Sequence, residues 1–169
     1  MKRILVIVDM IRGAAEGKYH GQDLNCTWWR RHARVTANIR ILAKKVPDII
    51  FVIDTTFRKK EHREIIGVLS NLISNAVIVF KDQDDGSDII RAHLERENLM
   101  DSWLVVCGMN TDACVLRTAR GLHRKGLDTV VMGDACWTVY ASKSSKPHND
   151  ALSRMRRTYG ISVRETRSV

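Results

Sequence analysis

Five short runs of consecutive apolar, mostly β-branched residues set the frame: Ile4–Val8, Ile49–Ile53, Ala76–Phe80, Leu104–Cys107 and Thr129–Met132. None shows the alternation of a strand with one wet face, so each predicts a strand buried on both sides. Helix-period segments lie between them, and that alternation predicts an α/β fold with a parallel sheet covered on both faces by right-handed crossovers. With 169 residues and 44% hydrophobic composition, one domain over 1–169 with a substantial core is expected.

The helices are marked less sharply. Residues 28–45 read as amphipathic, with Trp29, Ala33, Ala37, Ile41 and Leu42 on the inner face and Pro47 as the stop. Ile65, Val68, Leu69 and Leu72 predict a helix within 57–74. A helix over 89–99 is expected with Ser87 or Asp88 as cap, and another from Pro147 to about Tyr159, with Gly160 at its C-terminal cap and Ile161–Val163 as a last strand. Residues 12–27 and 135–146 read as loops.

Composition excludes several classes. Cys26, Cys107, Cys114 and Cys136 form no C-x-x-C pair, so neither a zinc finger nor a thioredoxin-like motif is present. Met1-Lys2-Arg3 leads into an apolar run that Asp9 interrupts, so no secretory signal and no membrane span are expected, and free thiols point to the cytoplasm. The formal net charge is +9, which fits an anionic small-molecule substrate or simple solubility. The basic residues are scattered and not interleaved with aromatics, so nucleic acid is not expected as a partner.

The most informative stretch is Trp103 to Ala119. Gly108 ends the buried run, and Thr111 and Asp112 are N-cap types, which puts Cys114 in the first turn of a helix beyond a strand end. A thiol there feels the helix dipole and free backbone N–H groups, both of which favour the nucleophilic thiolate. Asp9 and Lys81 also follow buried strands, on the rim where open α/β sheets place ligands. Each has an ordinary alternative: a small buried hydrophobe for Cys114, a turn residue for Asp9, an exposed charge for Lys81. Together they could form a nucleophilic centre.

On Leu5–Met10, Phe80-Lys81, Gly108–Val115 with Thr118-Ala119, and Val130–Ala135, the chain resembles the isochorismatase-like cysteine hydrolases, a superfamily that includes nicotinamidases and carbamoylsarcosine amidohydrolases. The resemblance implies a three-layer α/β/α sandwich of Rossmann-like topology around a central, mostly parallel sheet. It implies Asp9 as catalytic carboxylate, Lys81 as catalytic lysine and Cys114 as nucleophile. It also implies a cis Met109–Asn110 bond, with the backbone N–H groups of Asn110 and Cys114 as oxyanion hole, and a homo-oligomer, dimer or tetramer. The expected reaction is hydrolysis of a small amide or related C–N bond through a thioester on Cys114. Enol-ether cleavage without an adduct, and a non-catalytic basic binding protein, are the alternatives.

The chain departs from the family in places. Asp54-Thr55-Thr56-Phe57 stands where nicotinamidases carry an Asp-x-His metal signature, so no metal and no other cofactor is expected. Ile11-Arg12-Gly13-Ala14 replaces the Gln and aromatic found beside the carboxylate in many members. Trp28, Trp137 and Tyr140 are candidate pocket walls, weighed against core packing.

Overall fold

A computed structural model describes residues 1–15, 26–57, 59–139 and 144–169, the side chains of 14–15 and 26–29 excepted. Six parallel strands form one sheet in the order β3-β2-β1-β4-β5-β6. They are β1 Arg3–Val8, β2 Asp48–Asp54, β3 Ala76–Lys81, β4 Trp103–Met109, β5 Thr129–Trp137 and β6 Ser162–Arg164. The helices are α1 Arg12–Ala15, α2 Cys26–Lys45, α3 Ser87–Arg96, α4 Leu116–Arg124 and α5 Lys146–Arg157. The order reverses direction after β3, which returns the chain to β4 beside β1. That reversal is the switch point of an open α/β sheet, where the strand ends leave a crevice.

The central strands are buried as their composition requires: Leu5, Val6, Ile7 and Val8 of β1, and Leu104 to Cys107 of β4, are fully covered. At the edge β3 differs. Val77, Ile78 and Phe80 are exposed despite their apolar character.

Several sequence expectations need correction. The buried face of α2 is Val35, Thr36, Ile39, Leu42 and Ala43, while Ala33 and Ala37 face solvent and Ile41 is largely exposed. The longer apolar side chains bury more area than alanines, and they set the rotation of the helix. Among the described residues of 57–74 there is no α-helix. Two 3-10 segments, Lys60–Arg63 and Gly67–Asn75, flank an extended piece in which Ile65 bridges Ile11. Strand β5 runs five residues past Met132, through part of the expected 135–146 loop. Residues 12–15 are helical rather than loop.

Gly108 fits where no other residue would. Its φ is 120°, and a Cβ there would stand 2.1 Å from the Val8 carbonyl oxygen. Bare backbone lets β4 close on β1 at the point where both end.

Candidate active site

Three strand ends deliver the site. Asp9 follows β1 with φ 49°, its N–H bonded to the Val52 carbonyl at 2.9 Å. Asp54 closes β2 and Lys81 closes β3, paired in register. All three are at least 95% buried. Lys81 Nζ lies 2.9 Å from Asp9 Oδ2 and 3.6 Å from Asp54 Oδ2, and donates to the Gln83 carbonyl at 3.0 Å. Asp9 Oδ1 accepts the Asp54 N–H at 2.8 Å. Oδ2 is the oxygen that meets the Lys81 ammonium, as a fully buried ion pair.

Cys114 comes from the other side of the crevice. After β4 the chain passes through a cis Met109–Asn110 bond into a wide turn, Thr111–Val115, before α4 begins. The cysteine therefore precedes the regular helix, and Asn110 rather than Thr111 or Asp112 is the boundary residue. The Asn110 carbonyl accepts the Ala113 and Val115 N–H groups, and its side-chain oxygen accepts the Val139 N–H at 3.0 Å. Ligand atoms of Cys114, Asp9 and Asp54 lie within 4.8 Å of one another. The sequence-predicted acid, ammonium and thiol thus meet at one place.

Electrostatics follow from burial. Burial pushes Asp9 above its usual range, opposed by Lys81. Burial works against the charge of Lys81, but Asp9, Cys114 and Asp54 outweigh it and raise its pKa. Burial and then the Asp9 carboxylate push the Cys114 thiol up, Lys81 opposing, so the resting sulfur holds its proton next to a basic carboxylate. Such a set can pass a proton from sulfur to carboxylate while the ammonium balances the charge left behind.

The same donor set is a poor zinc site. Asp54 Oδ1 accepts the Thr56 N–H at 2.8 Å and its Oδ2 faces the Lys81 ammonium, so a cation would compete with a resident one.

Two groups that touch the Thr111–Val115 turn were not anticipated. Asp84, in the turn between β3 and α3, has Oδ1 3.6 Å from Sγ, while its Oδ2 takes the Arg117 guanidinium. His148 of α5 shares a 2.9 Å hydrogen bond with Thr111 Oγ1, next to the cis bond. Asp82, Asp84 and Asp85 carry no periodic signal that would single out one of them, and nothing local in the sequence ties His148 to Thr111.

Of the candidate pocket walls, Trp137 is 8% exposed and packs on His148 (ring centroids 4.8 Å apart), with the Arg31 guanidinium 4.4 Å over its ring. It borders a cavity of about 390 Å³ beyond the end of β6, whose lining includes none of Asp9, Lys81 and Cys114. The Trp28 side chain and Tyr140 lie outside the described residues.

Comparison with known proteins agrees with this architecture. Residues 3–168 match the isochorismatase domain. Over 55 residues, 32% of this chain, the sequence is 44% identical to isochorismatase domain-containing protein 2 of Xenopus laevis, a match spanning a quarter of that relative's length. The fold is similar to nicotinamidase PncA from Bacillus subtilis, with TM-score 0.75 and 21% identity over 98% of this chain and 100% of that one. It is similar also to N-carbamoylsarcosine amidase from Thermoplasma acidophilum, with TM-score 0.74 and 16% identity over 100% and 99%. With a six-stranded parallel sheet and a domain match over nearly its whole length, the chain belongs to the isochorismatase domain family.

Proposed function

We propose that this single domain is a cysteine hydrolase that cleaves a small amide or related C–N bond through a thioester on Cys114. The observation that carries the reading is the meeting of Asp9, Lys81 and Cys114 in one buried cluster, with Lys81 Nζ 2.9 Å from Asp9. In this reading Asp9 takes the thiol proton and the thiolate attacks the carbonyl carbon. The backbone N–H groups of Asn110 and Cys114 hold the oxyanion. The C–N bond then breaks, and Asp9 returns the proton to the departing nitrogen. A water, deprotonated by Asp9, cleaves the thioester and restores the thiol. Lys81 keeps Asp9 in place and compensates the negative charge throughout.

A second reading has one observation in its favour. The raised pKa of Asp9 suits a carboxylic acid that protonates an enol ether, a reaction needing no adduct on sulfur.

Self-association belongs to the same proposal. Val77, Ile78 and Phe80 leave apolar surface exposed along edge strand β3, an edge suited to a second copy of the chain. Among the described residues no helix is long and apolar enough to cross a membrane. The free thiols of Cys107, Cys114 and Cys136 support a reducing, cytoplasmic setting.

The test is turnover of a panel of small amides, nicotinamide and N-carbamoylsarcosine included, by the wild type and Cys114→Ala. Ammonia release by the wild type alone, with an acyl group mapped to Cys114 after acid quench, is the expected result. Undiminished turnover by a folded Cys114→Ala would refute the nucleophile, and turnover of an enol ether with no adduct would favour the second reading.

A further inference from the structure

Asp84 touches the sulfur and is unused by the reaction scheme above. It is not a loose surface acid. Thr118 Oγ1 donates to its carbonyl at 3.5 Å and accepts the Gly86 N–H at 2.9 Å, which ties the turn to α4. A Cβ on Gly86 would stand 2.8 Å from Val52 Cγ1 and 3.3 Å from Lys81 Cδ, so this turn lies close on the sheet. Arg117, four-tenths buried on the adjoining helix, holds Oδ2, which leaves Oδ1 facing Sγ at 3.6 Å.

A carbonyl carbon poised for attack sits about 3–3.5 Å from the sulfur. Its substituents are only about 1.2–1.5 Å further out, so an oxygen fixed beside the sulfur lies alongside one of them. The identity of that substituent is restricted. An ionised carboxylate can only accept hydrogen bonds. It repels the carbonyl oxygen and an ester oxygen alike, and it gains nothing from an alkyl group. An N–H satisfies it, replacing the S–H donor that is lost when the thiol gives up its proton.

We propose that Asp84 accepts an N–H of the substrate, selecting amides and ureido compounds over esters at Cys114, and that Arg117 is the positioning residue that turns Asp84 toward the sulfur. This rests on the nucleophile reading of Cys114 and names the substrate class of that site.

The test uses two reagents of equal shape, 2-iodo-N-methylacetamide and methyl iodoacetate, which differ by N–H against O. Each alkylates a thiol with loss of iodide and the thiol proton. Rates at Cys114, resolved by peptide mapping, are divided by those at glutathione. The wild type should favour the amide reagent by about tenfold or more beyond glutathione, a modest preference because Asp84 is partly wet. In Asp84→Asn the carboxamide turns its oxygen to Arg117 and its NH2 to the sulfur, so the preference should fall to about the glutathione ratio. Arg117→Met should lose most of the preference while Cys114 still labels. A wild-type ratio equal to that of glutathione, or a preference that survives in Asp84→Asn, would overturn the proposal while leaving the nucleophile intact. Labelling of Cys114 no faster than Cys107 and Cys136 with either reagent would overturn both.

Discussion

Lys81 Nζ stands 2.9 Å from Asp9 Oδ2 although the two residues end strands that are separated by β2 in the sheet. Asp54, at the end of β2, fills the gap with its N–H on Asp9 and its carboxylate toward Lys81. One ammonium thus holds two carboxylates from neighbouring strand ends. Removing it leaves both buried and unpaired. Lys81→Met should lower unfolding stability by about 3–5 kcal/mol in urea denaturation and abolish turnover. A stability change within about 0.5 kcal/mol would mean the cluster is not held by the ammonium.

Gly108 should tolerate nothing larger. In Gly108→Ala the methyl would meet the Val8 carbonyl at 2.1 Å, in a backbone conformation that L-residues rarely adopt. A loss of at least about 2 kcal/mol in thermal or chemical unfolding is expected, with turnover falling because Asp9 and the Cys114 turn both follow from this crossing.

His148 gives stability a pH dependence. Burial first, then the Arg31 charge, hold its pKa down to about 4 from 6.5. The folded state therefore prefers neutral imidazole, and this contribution is complete above pH 6.5. As pH falls toward about 4 the unfolded chain takes up a proton that the folded chain refuses, and stability drops. His148→Asn should lack that part of the slope when Tm is followed from pH 7 to pH 4. An unchanged slope would show that His148 titrates normally.

The edge of the sheet should govern assembly. Phe80 is 57% exposed on β3 beside Ile78 and Val77. Phe80→Asp should shift the mass measured by light scattering from oligomer toward monomer, with secondary structure unchanged. A wild type that is monomeric throughout would remove this edge as an interface.

Much of the architecture was legible because the central strands obey a simple rule. Ile4–Val8 and Leu104–Cys107 have no polar residue to expose, so only a sheet covered on both faces suits them. The places of Asp9, Lys81 and Cys114 at one rim followed from strand polarity. What was not legible depended on tertiary context. The rotation of α2 was misread because Ala33 and Ala37 share a face with Trp29, and only packing on β5 reveals that Val35 and Ile39 win. Residues 57–74 carry helical spacing, but Ile65 is drawn extended into its bridge with Ile11, which leaves 3-10 turns on either side. Asp84 and Arg117 are 33 residues apart, and no local pattern brings them together over Cys114.

The activation of one thiol among four is most directly measured by site-resolved alkylation with iodoacetamide at neutral pH, read by peptide mapping over time. Burial raises the thiols of Cys107, Cys114 and Cys136 alike, so access and a base within reach decide which reacts, and Cys107 and Cys136 are essentially sealed. Cys114 keeps 7% exposure, with Lys81 among the groups around it. Cys114 should label first, ahead of Cys26, Cys107 and Cys136. Uniform labelling of all four, or Cys114 modified last, would contradict a nucleophile at the meeting point of β1, β3 and β4.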